Sequence, residues 1–240
     1  MSKPKILRIL HLYPRDMNIY GDWGNVLTIL RRAEWHGYKT ELVQHNPGKP
    51  FPSDIDIIIG GGGQDSGQDL VKDDLVHIGD TLHTLAEKDV PMLMICGLYQ
   101  LFGRFFRTAE GLEIPGIDLF KMETHAGPTR LIGNIVTETP FGELVGYENH
   151  SGLTVLDDDQ PALGVVRKGA GNNGEDKTEG AIYRCVFGSY LHGSLLPKNP
   201  TFADALIEAA AHRKFGGFEP RIIEDRFVYE AHVRAKKRPR

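Results

Sequence analysis

Short unbroken apolar runs alternate along the first half of the chain with longer stretches in which apolar residues recur every three or four positions. Lys5 to Leu12 (KILRILHL) reads as a buried strand with a brief polar interruption, and Tyr38 to Gln44 and Asp56 to Ile59 read as two more. Between the first two, Val26, Leu27, Ile29, Leu30 and Ala33 keep helical spacing over Asn25 to His36, and Gly37 closes that helix. Gln68 to Glu87 makes a long amphipathic helix. Pro91 to Cys96 is then apolar without alternation, the mark of a strand covered on both faces. Leu98 to Phe106 follows with helical texture. Strands and helices alternating at these lengths predict an α/β fold. Its mostly parallel sheet carries helices on both faces and binds ligands at the carboxyl ends of its strands.

After Phe106 the texture changes to glycines, prolines and short β-branched runs. Arg130 to Thr137, Leu153 to Leu156, Gly164 to Arg167 and Ala181 to Val186 predict antiparallel strands appended to the parallel sheet, with Cys185 in the core of the last. Gly169 to Gly180 (GAGNNGEDKTEG) is a polar, hairpin-like loop, and Gly188 to Gly193 places His192 at the end of another short strand. Asn199 and Pro200 suit the N-cap and first turn of a last core helix, Phe202 to Arg213. One domain over 1–215 is expected, with 216–240 a polar, basic extension that is either a docking helix or a mobile tail. Tyr13 to Asn25 is expected to be a surface turn for most of its residues.

Composition narrows the function without naming it. A net charge of −4 over 240 residues gives no global nucleic-acid or membrane signal. No apolar run is long enough to span a bilayer, and the start Met-Ser-Lys-Pro-Lys lacks a signal-peptide core, so a cytoplasmic location is expected. Two cysteines, Cys96 and Cys185, are too few for a disulfide framework and lack metal-type spacing.

One of the two carries candidate chemistry. Cys96, followed at once by Gly97 and a helix, sits where a nucleophile elbow would hold it, and the helix N-terminus favours thiolate. Alone, a cysteine in an apolar strand is ordinarily a packing residue. His192, at a strand end nearly a hundred residues on, is the best-placed base, because Cys/His pairs meet in space rather than in sequence. His36, His77, His83 and His212 fall in helices and read as surface residues, while His125 and His150 sit in turn-like segments. Oxyanion donors at the same sheet edge are Gly97 and the Gly62-Gly63 turn. That run, Gly60 to Gly63, is no Walker loop, which needs Gly-Lys-Ser/Thr, and no dinucleotide fingerprint, which follows the first strand.

Four stretches together resemble the class I glutamine amidotransferases. They are GGGGQD (Gly60 to Asp65), Cys96-Gly97-Leu98-Tyr99-Gln100, the Asn149-His150-Ser151-Gly152 turn, and Tyr190-Leu191-His192-Gly193. The branch is the one whose glutaminase domains are similar to those of cobyric acid and cobyrinate amide synthases. NIYGDWGN (Asn18 to Asn25), the motif order and the size resemble stand-alone glutaminase subunits of that branch, over about residues 5 to 215. The resemblance implies a three-layer, flavodoxin-like fold. It implies that Cys96 attacks the carboxamide of L-glutamine, leaving a γ-glutamyl thioester, while His192 serves the departing ammonia and then water. It further implies Arg130 and Gln100 as substrate-holding residues and no cofactor in this chain. ATP would be bound by a Mur-ligase-like partner, in a heterodimer that amidates the D-glutamate of lipid II. Membrane proximity would then be indirect, through that lipid-linked substrate.

One departure stands out: many class I enzymes carry His-x-Glu, whereas Gly193 and Ser194 follow His192 here. Either a Cys/His dyad works alone or another carboxylate completes it, such as one from the synthetase. Asp22 is expected on a docking surface near the ammonia exit. Two other readings compete: a glutaminase serving a different cobyrinate-type amide synthetase, and a regulatory subunit of the same fold with an idle thiol.

Overall fold

The computed structural model describes residues 4–192 and 194–239; Gly193, the last residue of one motif, lies outside them. The first half runs β1 (Ile6–Leu12), α1 (Trp23–Trp35), β2 (Lys39–His45), β3 (Ile57–Gly60), α2 (Asp65–Glu87), β4 (Met92–Ile95) and α3 (Gly97–Leu101). The second half begins β5 (Phe105–Arg107), β6 (Glu113–Pro115), β7 (Met122–Thr139), β8 (Gly142–Leu156), β9 (Gly164–Lys168) and β10 (Thr178–Glu179). It ends β11 (Ala181–Tyr183), β12 (Val186–Ser189), a 3-10 turn at Leu196–Lys198, α4 (Pro200–Phe215) and α5 (Arg226–Lys237).

A six-stranded sheet in the order β11-β12-β4-β3-β1-β2 forms the centre, parallel except for β11. Its inner strands β3 (IIIG) and β4 (MLMI) are buried at every position, which is why their sequences lack alternation. The edge strand β2 is mostly exposed or half-buried. Helix α1 packs with α4, and α2 with α3, giving the layered α/β architecture. Register carries the functional consequence. Leu12 pairs with Gly60, Gly60 with Met94, and Ser189 with Ile95. Four strands therefore end at one edge, and from it emerge the Tyr13–Asp22 loop, the glycine turn, Cys96 and the Tyr190–His192 segment.

The second sheet, β10-β9-β7-β5-β6 with β8 on β7, supplies the appended antiparallel strands. Its centre is the long β7/β8 hairpin, whose pairing shifts between Ala126 and Leu131. This hairpin corrects two expectations: Asn149 to Gly152 is not a turn, and both His125 and His150 lie within strands.

Four local readings also give way to tertiary contacts. Helix α3 stops at Leu101 instead of reaching Phe106, because Arg104 N–H donates to Met122 O at 2.9 Å and Phe105–Arg107 pair with β6 and β7. The run Ala181 to Val186 bends at Arg184 (φ 53°) into β11 and β12, leaving Cys185 half-buried in the turn. His36 is buried, with Nε2 3.1 Å from Asp204 Oδ1. Helix α4 starts at Pro200 as its sequence suggests, but Asn199 makes no side-chain cap: its amide bonds Val145 and Leu195 instead.

The basic C-terminal stretch forms α5, held to the body by two kinds of contact. Arg32 on α1 bonds both Asp204 and Asp225, and Lys236 pairs with Glu143 at 2.7 Å.

Candidate active site

Cys96 occupies the corner between β4 and α3 with φ 49° and ψ −103°, a left-handed-side conformation that a non-glycine residue adopts only under constraint. The constraint is visible on both sides. Cys96 N–H donates to Ser189 O at 2.8 Å, extending the β4/β12 pairing, and Gln100 N–H donates to Cys96 O at 2.9 Å, closing the first helical turn. A strand that must end and a helix that must begin within one residue force the side chain out of the sheet edge.

His192 arrives there by a different route. Beyond β12 its backbone makes a two-bond antiparallel bridge to Tyr147 of β8, with His192 N–H to Tyr147 O at 2.7 Å and the return bond at 3.3 Å. The appended hairpin thus sets the imidazole. A methyl group placed on Gly62 would sit 2.9 Å from His192 Cε1 and 3.2 Å from Cys96 Cβ, so the cysteine and histidine side chains converge over this glycine. Burial opposes charge on His192, but the facing Cys96 sulfur and then Asp22 outweigh it and hold its pKa up at about 10. Tyr20 covers the ring, edge to face at a centroid distance of 4.9 Å.

Asp22 was not expected here. It is not on a docking surface: only 1% of it is exposed, and its Oδ1 lies 3.9 Å from His192 Nδ1 while Oδ2 accepts Gly62 N–H at 2.7 Å. The loop that carries it is otherwise mixed: Tyr13 and Met17 are fully buried, while Arg15, Asn18, Tyr20 and Gly21 are exposed, as a surface turn would have them. Its sequence signal was the NIYGDWGN motif itself, which no periodicity could assign to a partner.

The glycine run turns tightly because there is no room for side chains. A methyl on Gly61 would lie 2.4 Å from Met17 O, and one on Gly63 2.4 Å from Met17 Sδ. Among the expected oxyanion donors, the Gly62 amide is already engaged by Asp22. Gly63 N lies 2.9 Å from where a Gly97 methyl would stand, so the two glycines are packed together, and Gly97, first in its helix, has no intrahelical acceptor.

Cys96, Gly63, Gln64, Arg130 and Asn149 line a cleft of about 390 Å³. Arg130 is exposed at its rim, donating from Nε and Nη2 to Asn149 Oδ1 and O at 3.0 and 2.9 Å. Asn149 in turn donates to Tyr20 Oη at 3.0 Å. Gln100 lines the same cleft, though buried, and accepts from Gln68 at 2.8 Å while donating to Tyr190 Oη at 3.1 Å. His150 also lines the cleft, stacked on Tyr190 at 3.6 Å. Burial lowers its pKa to about 3, against the pull of the Gly152 carbonyl, so at neutral pH it is an uncharged ring.

A strained cysteine after a central parallel strand, a histidine just beyond β12 held in place by an appended hairpin and a glycine turn beneath both define a class of amide-handling α/β enzymes. The profile of the CobB/CobQ-like glutamine amidotransferase domain matches residues 8–200, and the chain belongs to that family. It is similar to the lipid II isoglutaminyl synthase (glutamine-hydrolyzing) subunit GatD of Staphylococcus aureus (strain N315), 39% identical over 96% of this chain and 93% of that one. The subunit of the same name from Streptococcus pneumoniae (strain ATCC BAA-255 / R6) is 38% identical over 89% of this chain and 84% of its own. A probable cobyric acid synthase of Methanothermobacter thermautotrophicus is 33% identical, over 58% of this chain and 30% of its own length. In fold, a glutamine amidotransferase of Thermotoga maritima (TM-score 0.54, 14% identity, 96% of this chain and 92% of that one) is a structural neighbour. The glutaminase domain of Trypanosoma brucei CTPS (TM-score 0.54, 10% identity, 87% and 95%) is another.

Proposed function

We propose that the chain is the glutaminase subunit of a two-subunit enzyme that amidates the D-glutamate of lipid II, with a MurT-like Mur ligase as its partner. The observation that carries the chemistry is the meeting of Cys96 and His192 over Gly62 beside a cleft of glutamine size. Similarity to the two GatD subunits over 89–96% of the chain supports the choice of pathway over a cobyrinate-type synthetase, whose relatives match 57–70% of it at 28–33% identity.

In this reading the Cys96 thiolate attacks the side-chain carbonyl carbon of L-glutamine, and the oxyanion forms against the Gly63 and Gly97 amides. The His192 imidazolium gives its proton to the departing nitrogen, so ammonia leaves and a γ-glutamyl thioester remains. His192 then takes a proton from water, which adds to the thioester. Collapse releases glutamate and returns the thiolate. Arg130, freed from Asn149, is the partner for the substrate α-carboxylate. Gln100 supports the site by fixing Tyr190 and Gln68. The partner binds ATP and uses the ammonia.

The test is covalent labelling with 6-diazo-5-oxo-norleucine. One label per chain at Cys96, absent in Cys96→Ala, is the expected result, together with recovery of a Mur-ligase-like ATPase when the tagged chain is purified from its own cells. Labelling that persists in the alanine variant, or glutamine hydrolysis that survives it, would remove Cys96 from the mechanism. Recovery of a cobyrinate-type synthetase instead would keep the chemistry and change the pathway.

A further inference from the structure

We infer that Asp22 is the positioning acid of this site, a residue of the chain itself that orients and steadies the His192 imidazole while fixing the glycine turn. The inference rests on the glutaminase reading above and concerns the acid missing from the position two residues after the histidine.

Two buried groups face each other without partners. Asp22 Oδ1 and His192 Nδ1 are each shielded from water and, among the described residues, neither makes a hydrogen bond. A buried carboxylate oxygen left alone is costly, and so is a buried ring nitrogen that must carry a proton. At 3.9 Å they are too far apart for a direct bond, yet a ring shift of about 1 Å brings them into hydrogen-bonding range, and catalytic hydrogen bonds commonly tighten on substrate binding. The other oxygen cannot drift away, since Gly62 N–H holds it at 2.7 Å. Backbone anchors hold the loop as well: Ser194 Oγ donates to Gly21 O, and Leu196 N–H donates to Asn25 Oδ1. The carboxylate is thus fixed by the same turn that lies beneath sulfur and imidazole.

The groups facing His192 from the surrounding elements are the Cys96 thiol, Asp22, the Tyr20 ring and, from β8, the neutral His150. Among these, Cys96 and Asp22 are the two that favour a protonated ring. Once glutamine has consumed the thiolate as a thioester, Asp22 alone of the pair still carries charge to support the imidazolium. This is the step at which an orienting acid acts in Ser-His-Asp triads.

Asp22→Asn separates charge from anchoring, because its amide oxygen can still accept the Gly62 N–H. Expected is a fall in kcat for glutamine hydrolysis of about 10²–10⁴-fold with melting temperature near that of the parent. The alkaline limb of the kcat/KM profile should move to lower pH by at least one unit, and the His192 ring titration, followed by NMR with labelled histidine, should move with it. A limb and a titration that stay in place, even with a slower enzyme, would reduce Asp22 to a structural contact and overturn the inference. Should Asp22→Asn fail to fold, the parent protein decides. A proton on His192 Nδ1, shifted downfield and protected from exchange, supports the pairing, and a ring protonated only at Nε2 refutes it. If the parent neither hydrolyses glutamine nor takes the label, the glutaminase reading fails separately, and the NMR titration still reports on Asp22.

Discussion

At the scale of single residues, the space around Gly62 decides whether the site works. Its α-carbon stands where a methyl would touch both His192 and Cys96, and misplacing reacting groups by even 1 Å can cost about 100-fold in rate. Gly62→Ala is therefore expected to lower kcat/KM for glutamine by at least about 10-fold, measured by ammonia release, while leaving the melting temperature close to that of the parent. Glu179 is a second residue with an outsized role. Wholly buried, it accepts from Tyr190 N–H at 2.7 Å and Ser189 Oγ at 3.1 Å, bracing the strand end whose carbonyl holds Cys96. Burial raises its pKa to about 8, so the folded chain keeps it protonated where the unfolded chain does not. Its contribution is present below about pH 4.5 and lost as pH rises toward about 8. Glu179→Gln should gain on the parent across that window by at least about 2–4 °C in melting temperature, read from paired melts.

At the scale of elements, α5 shows how a polar segment becomes part of the body. None of its residues is fully buried, and Phe227, Tyr229 and Val233 remain exposed, so apolar burial alone does not dock it. The contact that matters is the Arg32 guanidinium, buried on α1 and shared between Asp204 of α4 and Asp225 just before α5. Arg32→Met leaves Asp225 without its donor and Asp204 with His36 alone, and should cost about 1.5–3 kcal/mol in urea unfolding. The exposed Lys236–Glu143 pair is a control for that result: Lys236→Ala should cost under about 1 kcal/mol.

For the whole molecule, four buried titrating groups set the shape of stability against pH: His11, His150, Glu179 and His192. His11 and His150 are held neutral by burial, at about 4 and about 3. The unfolded chain takes up their protons as pH falls below about 6.5, so stability drops on the acid side. From about pH 4.5 to about 8 the retained proton of Glu179, and above about pH 6.5 that of His192, work in the other direction. The parent should be most stable near pH 6.5, with thermal melts falling on both sides, and Glu179→Gln should lessen the fall up to about pH 8 while leaving the part that His192 imposes. A parent optimum above pH 8 would show that these groups do not dominate. Among the described residues, no helix is long and apolar enough to cross a membrane.

Sequence by itself determined the parallel core, because strands buried on both faces must be continuously apolar and helices covering them must be periodic. It also singled out Cys96, since an apolar run that ends in Cys-Gly before a helix leaves the sulfur no place within the sheet. It located His192 at a strand end. What it could not decide was what that histidine would meet. Asp22 reads locally as a polar loop residue, Glu179 as part of a solvated hairpin and Asn149–Gly152 as a turn. Each was reassigned by contacts spanning from ten to forty residues: an amide of Gly62 for Asp22, a strand end at Ser189 for Glu179, and the pairing with β7 for Asn149–Gly152. Periodicity records which face of an element is buried. Which polar atoms share a buried pocket depends on the register of strands distant in the chain, and only the folded molecule fixes that.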